Sequence, residues 1–127
     1  MLDPKKTKSI IAGKAYQFSL DIISLYKFLC EVKREFFLSK QILRSGTSIG
    51  ANIHEALSSE SKSSFIYRLN VSLKEARETL YWLHLLKDSE YINTEQFDKL
   101  NISVAELLKM LTAIIKTSKE KYLPERK

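Results

Sequence analysis

Apolar residues recur along this chain at alternating spacings of three and four, in four separate runs. The first run carries Ile11, Ala15, Phe18, Ile22, Leu25, Leu29 and Val32, which share one face of a helix. The second carries Ile42, Ile49, Ile53 and Ala56, spaced seven, four and three apart. The third turns Phe65, Leu69, Leu73, Ala76, Leu80 and Leu83 inward. The fourth starts at a cap, Asn93 or Thr94, and carries Phe97, Leu100, Val104, Leu107, Leu108, Leu111, Ile114 and Ile115. The predicted helices are about 7–32, 37–58, 62–88 and 94–121. No stretch sustains the period-two alternation of a strand. Short polar breaks of roughly four to six residues make consecutive helices antiparallel neighbours. The pattern predicts one all-α domain over 1–127, an antiparallel up-down-up-down four-helix bundle.

The second run differs from the other three in its small residues. Ser45, Gly46, Ser48, Gly50 and Ala51 lie beside the apolar stripe, where they let another helix backbone come close. Two glycines inside a helix cost roughly 1 kcal/mol each relative to alanine, so tight packing must offset them. A polar stripe, Arg44, Ser48, Asn52 and Glu55, also keeps helical spacing. Arg44, Asn52 and Glu55 are expected to meet Arg68, Glu75 and Glu78 of the third helix in an ordered network that fixes subunit register. The plainer reading makes them surface pairs worth under about 1 kcal/mol each. Around the third helix Tyr81, Trp82, Leu83, Leu85 and Leu86 are more apolar than one seam requires. Leu80 and Leu83 serve the inner seam. Tyr81, Trp82 and Leu85 are left either for burial against the first and fourth helices or for a subunit interface, in which Tyr and Trp are favoured anchors. Four narrow helices offer little room to bury so much around one of them, which favours the interface.

Composition narrows the class. The chain has 127 residues, three Gly and two Pro, too few turn formers for a β protein. A lone cysteine, Cys30, forms no internal disulfide and fits a reducing compartment. The longest run free of Asp, Glu, Lys and Arg, Ser45 to His54, is about half of a membrane span. No apolar signal core follows the charges at the start. The expectation is a soluble, cytoplasmic protein with no membrane partner.

The net charge of +6 is unevenly spread. Up-down topology gathers residues 1–15, 56–68 and 113–127 at one pole. The first segment holds Lys5, Lys6, Lys8 and Lys14 against Asp3. The second holds Lys62 and Arg68 against Glu60. The third holds Lys116, Lys119, Lys121, Arg126 and Lys127 against Glu120 and Glu125. That pole carries +7, leaving −1 for the rest of the chain. Glu31, Glu35, Asp88, Glu90, Glu95 and Asp98 gather at the other. Lysine-rich ends often serve only solubility. A repeated cationic pole is also a phosphate-binding surface, strengthened by multivalency if the chain forms a ring.

Reaction chemistry is not announced. A di-iron bundle needs Glu-x-x-His pairs, and no glutamate precedes His54 or His84 by three residues. Glu75 and Glu78 read as a charged helix edge, and Ser58 to Ser64 as a polar connection with capping value. Cys30 lies near the inward seam and reads as packed. The expectation is a non-enzyme with no metal and no cofactor.

The run Gln41-Ile42-Leu43-Arg44, with Ser48-Ile49 and Asn52-Ile53-x-Glu55, resembles the pattern of the four helix bundle protein family. So does Ser72-Leu73-Lys74-Glu75-Ala76-Arg77-Glu78-Thr79-Leu80, closing in Tyr91-Ile92. That family includes proteins encoded in intervening sequences of bacterial 23S ribosomal RNA genes, and the chain is also similar to the accessory variability determinant of diversity-generating retroelements. Ala56 stands where the family often has glycine, and Val32-Lys33-Arg34-Glu35 lacks the proline that often precedes the second helix. The resemblance implies a ring-like homo-oligomer, a pentamer, that binds RNA or a nucleic-acid enzyme. The leading expectation is thus an oligomeric scaffold or accessory factor that binds RNA or DNA through its basic pole. A protein–protein adaptor without a nucleic-acid role is the alternative. A helix-turn-helix regulator fits less well, because the third helix is mostly apolar and charge-balanced rather than basic.

Overall fold

The computed structural model describes the backbone of residues 4–122 and the side chains of residues 8–121. The expected four helices form: α1 (Pro4–Glu31), α2 (Leu38–Leu57), α3 (Lys62–Asp88) and α4 (Thr94–Tyr122). Each packs on its chain neighbours, and α1 closes on α4 along the loosest of the four seams. The repeats of three and four become a single core, with Phe18, Ile22, Leu29, Ile42, Ile49, Ile53, Leu69, Leu83, Leu86, Leu107 and Leu111 almost fully buried. Among the described residues no helix is long and apolar enough to cross a membrane.

Helix boundaries follow local chemistry. Ser61 caps α3, its hydroxyl accepting the Ser64 N–H at 3.1 Å. Asn93 rather than Thr94 caps α4. Its side chain accepts the Gln96 N–H at 2.8 Å while the Gln96 amide oxygen accepts the Asn93 N–H at 2.9 Å, a reciprocal capping box. α3 ends in a left-handed residue, Glu90 (φ 66°), with the Tyr91 N–H bonded to the Leu86 carbonyl at 2.9 Å.

The start of α2 works differently. Its preceding residue, Phe37, supplies no capping side chain. The buried carboxylate of Glu35 substitutes, accepting N–H bonds from Phe37 and Leu38 at 3.1 Å each and from Ser39 at 2.7 Å. The negative charge sits against the positive end of the helix dipole. Glu35, expected on an acidic pole, is therefore turned inward. The same loop ends α1 one residue early. Arg34 is left-handed (φ 55°), and the Glu35 N–H returns to the Leu29 carbonyl at 2.9 Å. Val32, expected in the α1 seam, falls beyond the last helical turn and is 63% exposed.

The small-residue face of α2 is filled from within the chain. A Cβ on Gly46 would lie 2.8 Å from Ile22 Cγ1, and one on Gly50 would lie 3.3 Å from Ser19 Oγ and 3.4 Å from the Ala15 carbonyl oxygen. α1 thus rests almost on the α2 backbone. On its other side α2 meets α3 through buried hydroxyls. Ser72 Oγ donates to the Ile49 carbonyl at 2.8 Å, and Thr79 Oγ1 lies 2.9 Å from Ser45 Oγ. Thr79 also donates to the Glu75 carbonyl at 2.8 Å. These bonds let polar side chains replace bulk in a dry seam without leaving a group unsatisfied.

Two glycine substitutions are expected to act oppositely. Gly46→Ala pushes on the stiff, branched part of Ile22 and lowers unfolding stability by about 1–3 kcal/mol. Gly13 has open space where its Cβ would stand, so Gly13→Ala raises stability by up to about 1 kcal/mol through helix propensity. Denaturant unfolding of both variants checks the pair; equal effects would contradict this packing.

Candidate nucleic-acid interface and polar network

Antiparallel packing places the N-terminal end of α1, the α2–α3 connection and the C-terminal end of α4 at one pole. Lys8 Nζ stands 4.8 Å from the ring centroid of Phe65 in α3, which ties the α1 start to the α3 start. Lys62, Lys116, Lys119 and Lys121 are exposed, and Arg68 is half-buried. Among the described residues none of these five makes a salt bridge. Lys14 does, to Glu106 of α4 at 3.0 Å, so its charge is partly neutralised at the α1–α4 seam. Lys5, Lys6, Arg126 and Lys127 lie outside the residues whose side chains are described.

The polar stripe of α2 faces α3. Arg44 Nη1 donates to Glu75 Oε2 at 2.8 Å, and Nη2 pairs with Glu78. Glu78 in turn accepts the Trp82 indole N–H at 3.2 Å. Burial alone works against the Arg44 charge, yet the hydrogen bonds and charges of Glu75 and Glu78 outweigh it and raise its pKa above the ordinary guanidinium value. Two turns further along, Arg68 Nη1 donates to Asn52 Oδ1 at 3.3 Å, while Asn52 Nδ2 donates to the Ser48 carbonyl at 2.8 Å. Glu55 does not join: it is exposed, and among the described residues its carboxylate has no hydrogen-bond or ion-pair partner. Of the expected members, Arg44, Glu75 and Glu78 come together, Asn52 pairs with Arg68, and Glu55 stands apart.

Beside this network lies an uncovered apolar strip. Tyr67 is 61% exposed and Tyr81 59%, with Leu85 also open. Trp82 is half-buried against the core, its ring edge-on to Tyr81 at 5.1 Å. The indole thus follows neither expectation fully, since one side packs inside the subunit and the other stays accessible.

Other titratable groups do not converge. His54 and His84 are both exposed, and His84 sits edge-on to Phe97 at 4.9 Å. Cys30 Sγ faces Ser39 Oγ at 3.7 Å. Among the described residues no three His, Cys, Asp or Glu side chains are placed to hold a metal ion. At the pole opposite the lysines a cleft of about 610 Å³ is bordered by Phe28, Lys33, Lys87 and Tyr91. Periodicity alone does not reveal this cleft or the exposed rings of Phe36 and Phe37 near it; the only signal is a pair of aromatics at a helix start beside two cations.

Arg44→Ala strands the Glu75 carboxylate, whose side chain is only 12% exposed. Because Arg44 itself is half open to solvent, the expected loss is reduced to about 1–2 kcal/mol. Glu55→Ala should stay within about 0.5 kcal/mol of the parent. Thermal unfolding of the two variants measures the contrast, and equal melting temperatures would contradict the network.

The sequence profile described as 23S rRNA-intervening sequence protein matches residues 7–113. A crystal structure of a protein of unknown function from the S23 ribosomal protein family of Bacteroides thetaiotaomicron VPI-5482 is 50% identical, with a TM-score of 0.86. The match covers 87% of this chain and 98% of that one. No curated protein matches the chain. With the profile spanning most of the bundle, the chain belongs to the 23S rRNA-intervening sequence protein family.

Proposed function

We propose that the protein is a non-enzymatic scaffold or accessory factor that self-associates and binds RNA or DNA through its lysine-rich pole. The observation that carries this reading is the convergence of Lys62, Lys116, Lys119 and Lys121 from the α2–α3 connection and the end of α4. They stand exposed on one end of the bundle and are unpaired among the described residues. Cations that are not neutralised by internal pairs remain free to displace counterions from phosphates. Lys8 and Arg68 flank them, with Lys5, Lys6, Arg126 and Lys127 adding charge in the adjoining sequence.

Self-association is supported by the uncovered strip of Tyr67, Tyr81 and Leu85 beside the Arg44–Glu75–Glu78 network. Large apolar side chains next to an ordered, rigid edge suit a protein interface. A ring of five copies, as the family resemblance implies, repeats the cationic pole and turns weak contacts into useful affinity. Such a ring presents the nucleic acid, or an enzyme acting on it, to one face.

Two measurements test this reading. Affinity for RNA, followed by fluorescence anisotropy, falls steeply between roughly 0.05 and 0.3 M salt. Replacing Lys62, Lys116 and Lys119 with alanine weakens binding and flattens the log–log slope by about 0.7–0.9 for each phosphate that is no longer neutralised. Binding that ignores salt contradicts the pole. Mass in solution should be five times the 14.7 kDa subunit, and Tyr81→Glu with Leu85→Glu should lower it; a parent of subunit mass contradicts the interface.

A further inference from the structure

The connection between α1 and α2 is built as a rigid tip that shows aromatic rings to solvent. Phe37 is 83% exposed and Phe36 45%, with Val32 open beside them. Two phenyl rings left in water on a loosely held loop would collapse onto nearby apolar surface, but this loop is not loosely held. The left-handed backbone at Arg34 is locked by the Glu35 N–H bond to the Leu29 carbonyl, and the three N–H bonds to the Glu35 carboxylate fix Phe37 and the first turn of α2. A sparsely allowed conformation held by buried hydrogen bonds is characteristic of a segment shaped for use.

The electrostatics of the tip point to an anionic occupant. Lys33, Arg34 and Lys40 are exposed. Within the connection itself Glu35 is engaged at the α2 N-terminus and Glu31 is the one exposed acid, so Lys33, Arg34 and Lys40 leave a local excess of positive charge around the rings. The Arg34 guanidinium lies 5.6 Å from the Phe36 ring centroid, and Lys33 Nζ lies 6.0 Å from that of Phe28. Lys33 and Phe28 also border the cleft of about 610 Å³, whose other wall carries Lys87 together with Asp88 and Glu90. The tip therefore offers flat aromatic faces, a cation layered on one of them, and two further cations within the same connection and helix start.

We infer that this tip is a second nucleic-acid contact, which stacks unpaired bases on Phe37 and Phe36 while Lys33, Arg34 and Lys40 hold the flanking phosphates. Stacking on aromatic rings needs bases free of a duplex and tolerates any sequence. The inference deepens the reading of the protein as a nucleic-acid binder, but it assigns a different task to the end away from the lysine-rich pole. That pole meets backbone charge in any duplex or strand; the tip distinguishes strands whose bases are exposed.

The test compares a short unpaired oligonucleotide with a duplex of equal length, both by fluorescence anisotropy, using the full chain. Phe37→Ala should weaken single-strand binding roughly tenfold or more while leaving duplex binding unchanged. Phe37→Tyr should keep the parent affinity and Phe37→Leu should not, because leucine retains apolar contact but cannot stack. Since Phe37 is exposed, none of these changes threatens the fold. Equal single-strand affinity for parent and Phe37→Ala, or full rescue by leucine, overturns the tip. So does binding of the parent, abolished in Phe37→Ala, to anionic lipid vesicles in place of oligonucleotides. The alanine variant of Lys62, Lys116 and Lys119 separates the two readings. If it loses duplex affinity while Phe37→Ala changes nothing, the pole stands and the tip fails. If it binds duplex like the parent while Phe37→Ala loses single-strand affinity, the tip stands and the pole fails.

Discussion

Helix α2 is held closer to its two neighbours than side chains of ordinary size would permit, and the arrangement of the other helices depends on it. Gly46 and Gly50 let Ile22, Ser19 and the Ala15 carbonyl of α1 press against the α2 backbone. On the opposite flank Ser45 and the Ile49 carbonyl meet Thr79 and Ser72 of α3 through short, buried hydrogen bonds. A helix pinned on both sides in this way has little freedom to rotate or slide, because any shift drives a side chain into backbone or breaks a hydrogen bond in a dry seam. The register of α1 and α3 against α2 follows, and α4 then closes the core through Leu107 and Leu111.

That fixed register carries over into the charge distribution. Because α2 and α3 cannot slip, Arg44 stands opposite Glu75 and Glu78, and the acids that might neutralise lysines elsewhere are engaged in mid-bundle. Because the topology is up-down, the start of α1, the α2–α3 connection and the end of α4 meet at one pole. Neither effect requires a dedicated binding loop. Cationic surface accumulates where the connections are polar and lysines outnumber the carboxylates beside them, with Glu75, Glu78 and Glu106 engaged elsewhere along the bundle. Exposed apolar side chains remain on the outer face of α3 (Tyr67, Tyr81, Leu85) and at the α1–α2 tip (Val32, Phe36, Phe37), with others on α1 (Tyr16, Leu20) and α4 (Ile102).

Much of this is legible in the sequence because helices leave periodic marks. Ile11 to Leu29, Phe65 to Leu83 and Phe97 to Ile115 place their own inner faces, and Asn93 with Gln96 three residues later marks the start of α4. Other features need three dimensions. The periodic pattern runs past the true end of α1 to Val32, because Arg34 adopts a left-handed backbone that glycine usually signals. Glu35 resembles a surface acid until its carboxylate is seen capping α2. The small-residue face promises close contact but does not say with what, and α1 fills it within the subunit. Glu55 shares the spacing of Arg44 and Asn52, yet it stands exposed, with no partner for its carboxylate among the described residues. The Lys14–Glu106 pair depends on the α1–α4 register, which no local pattern encodes.

The central claim is that free lysines at one end of the bundle contact phosphate. Lysine acetylation read by mass spectrometry, with and without saturating double-stranded RNA, tests it most directly. Lys62, Lys116, Lys119 and Lys121 should be shielded by the RNA, while Lys74 and Lys109, exposed along the middle of α3 and α4, should react as before. Unchanged reactivity at the four pole lysines, or shielding confined to the middle of the bundle, would contradict the account.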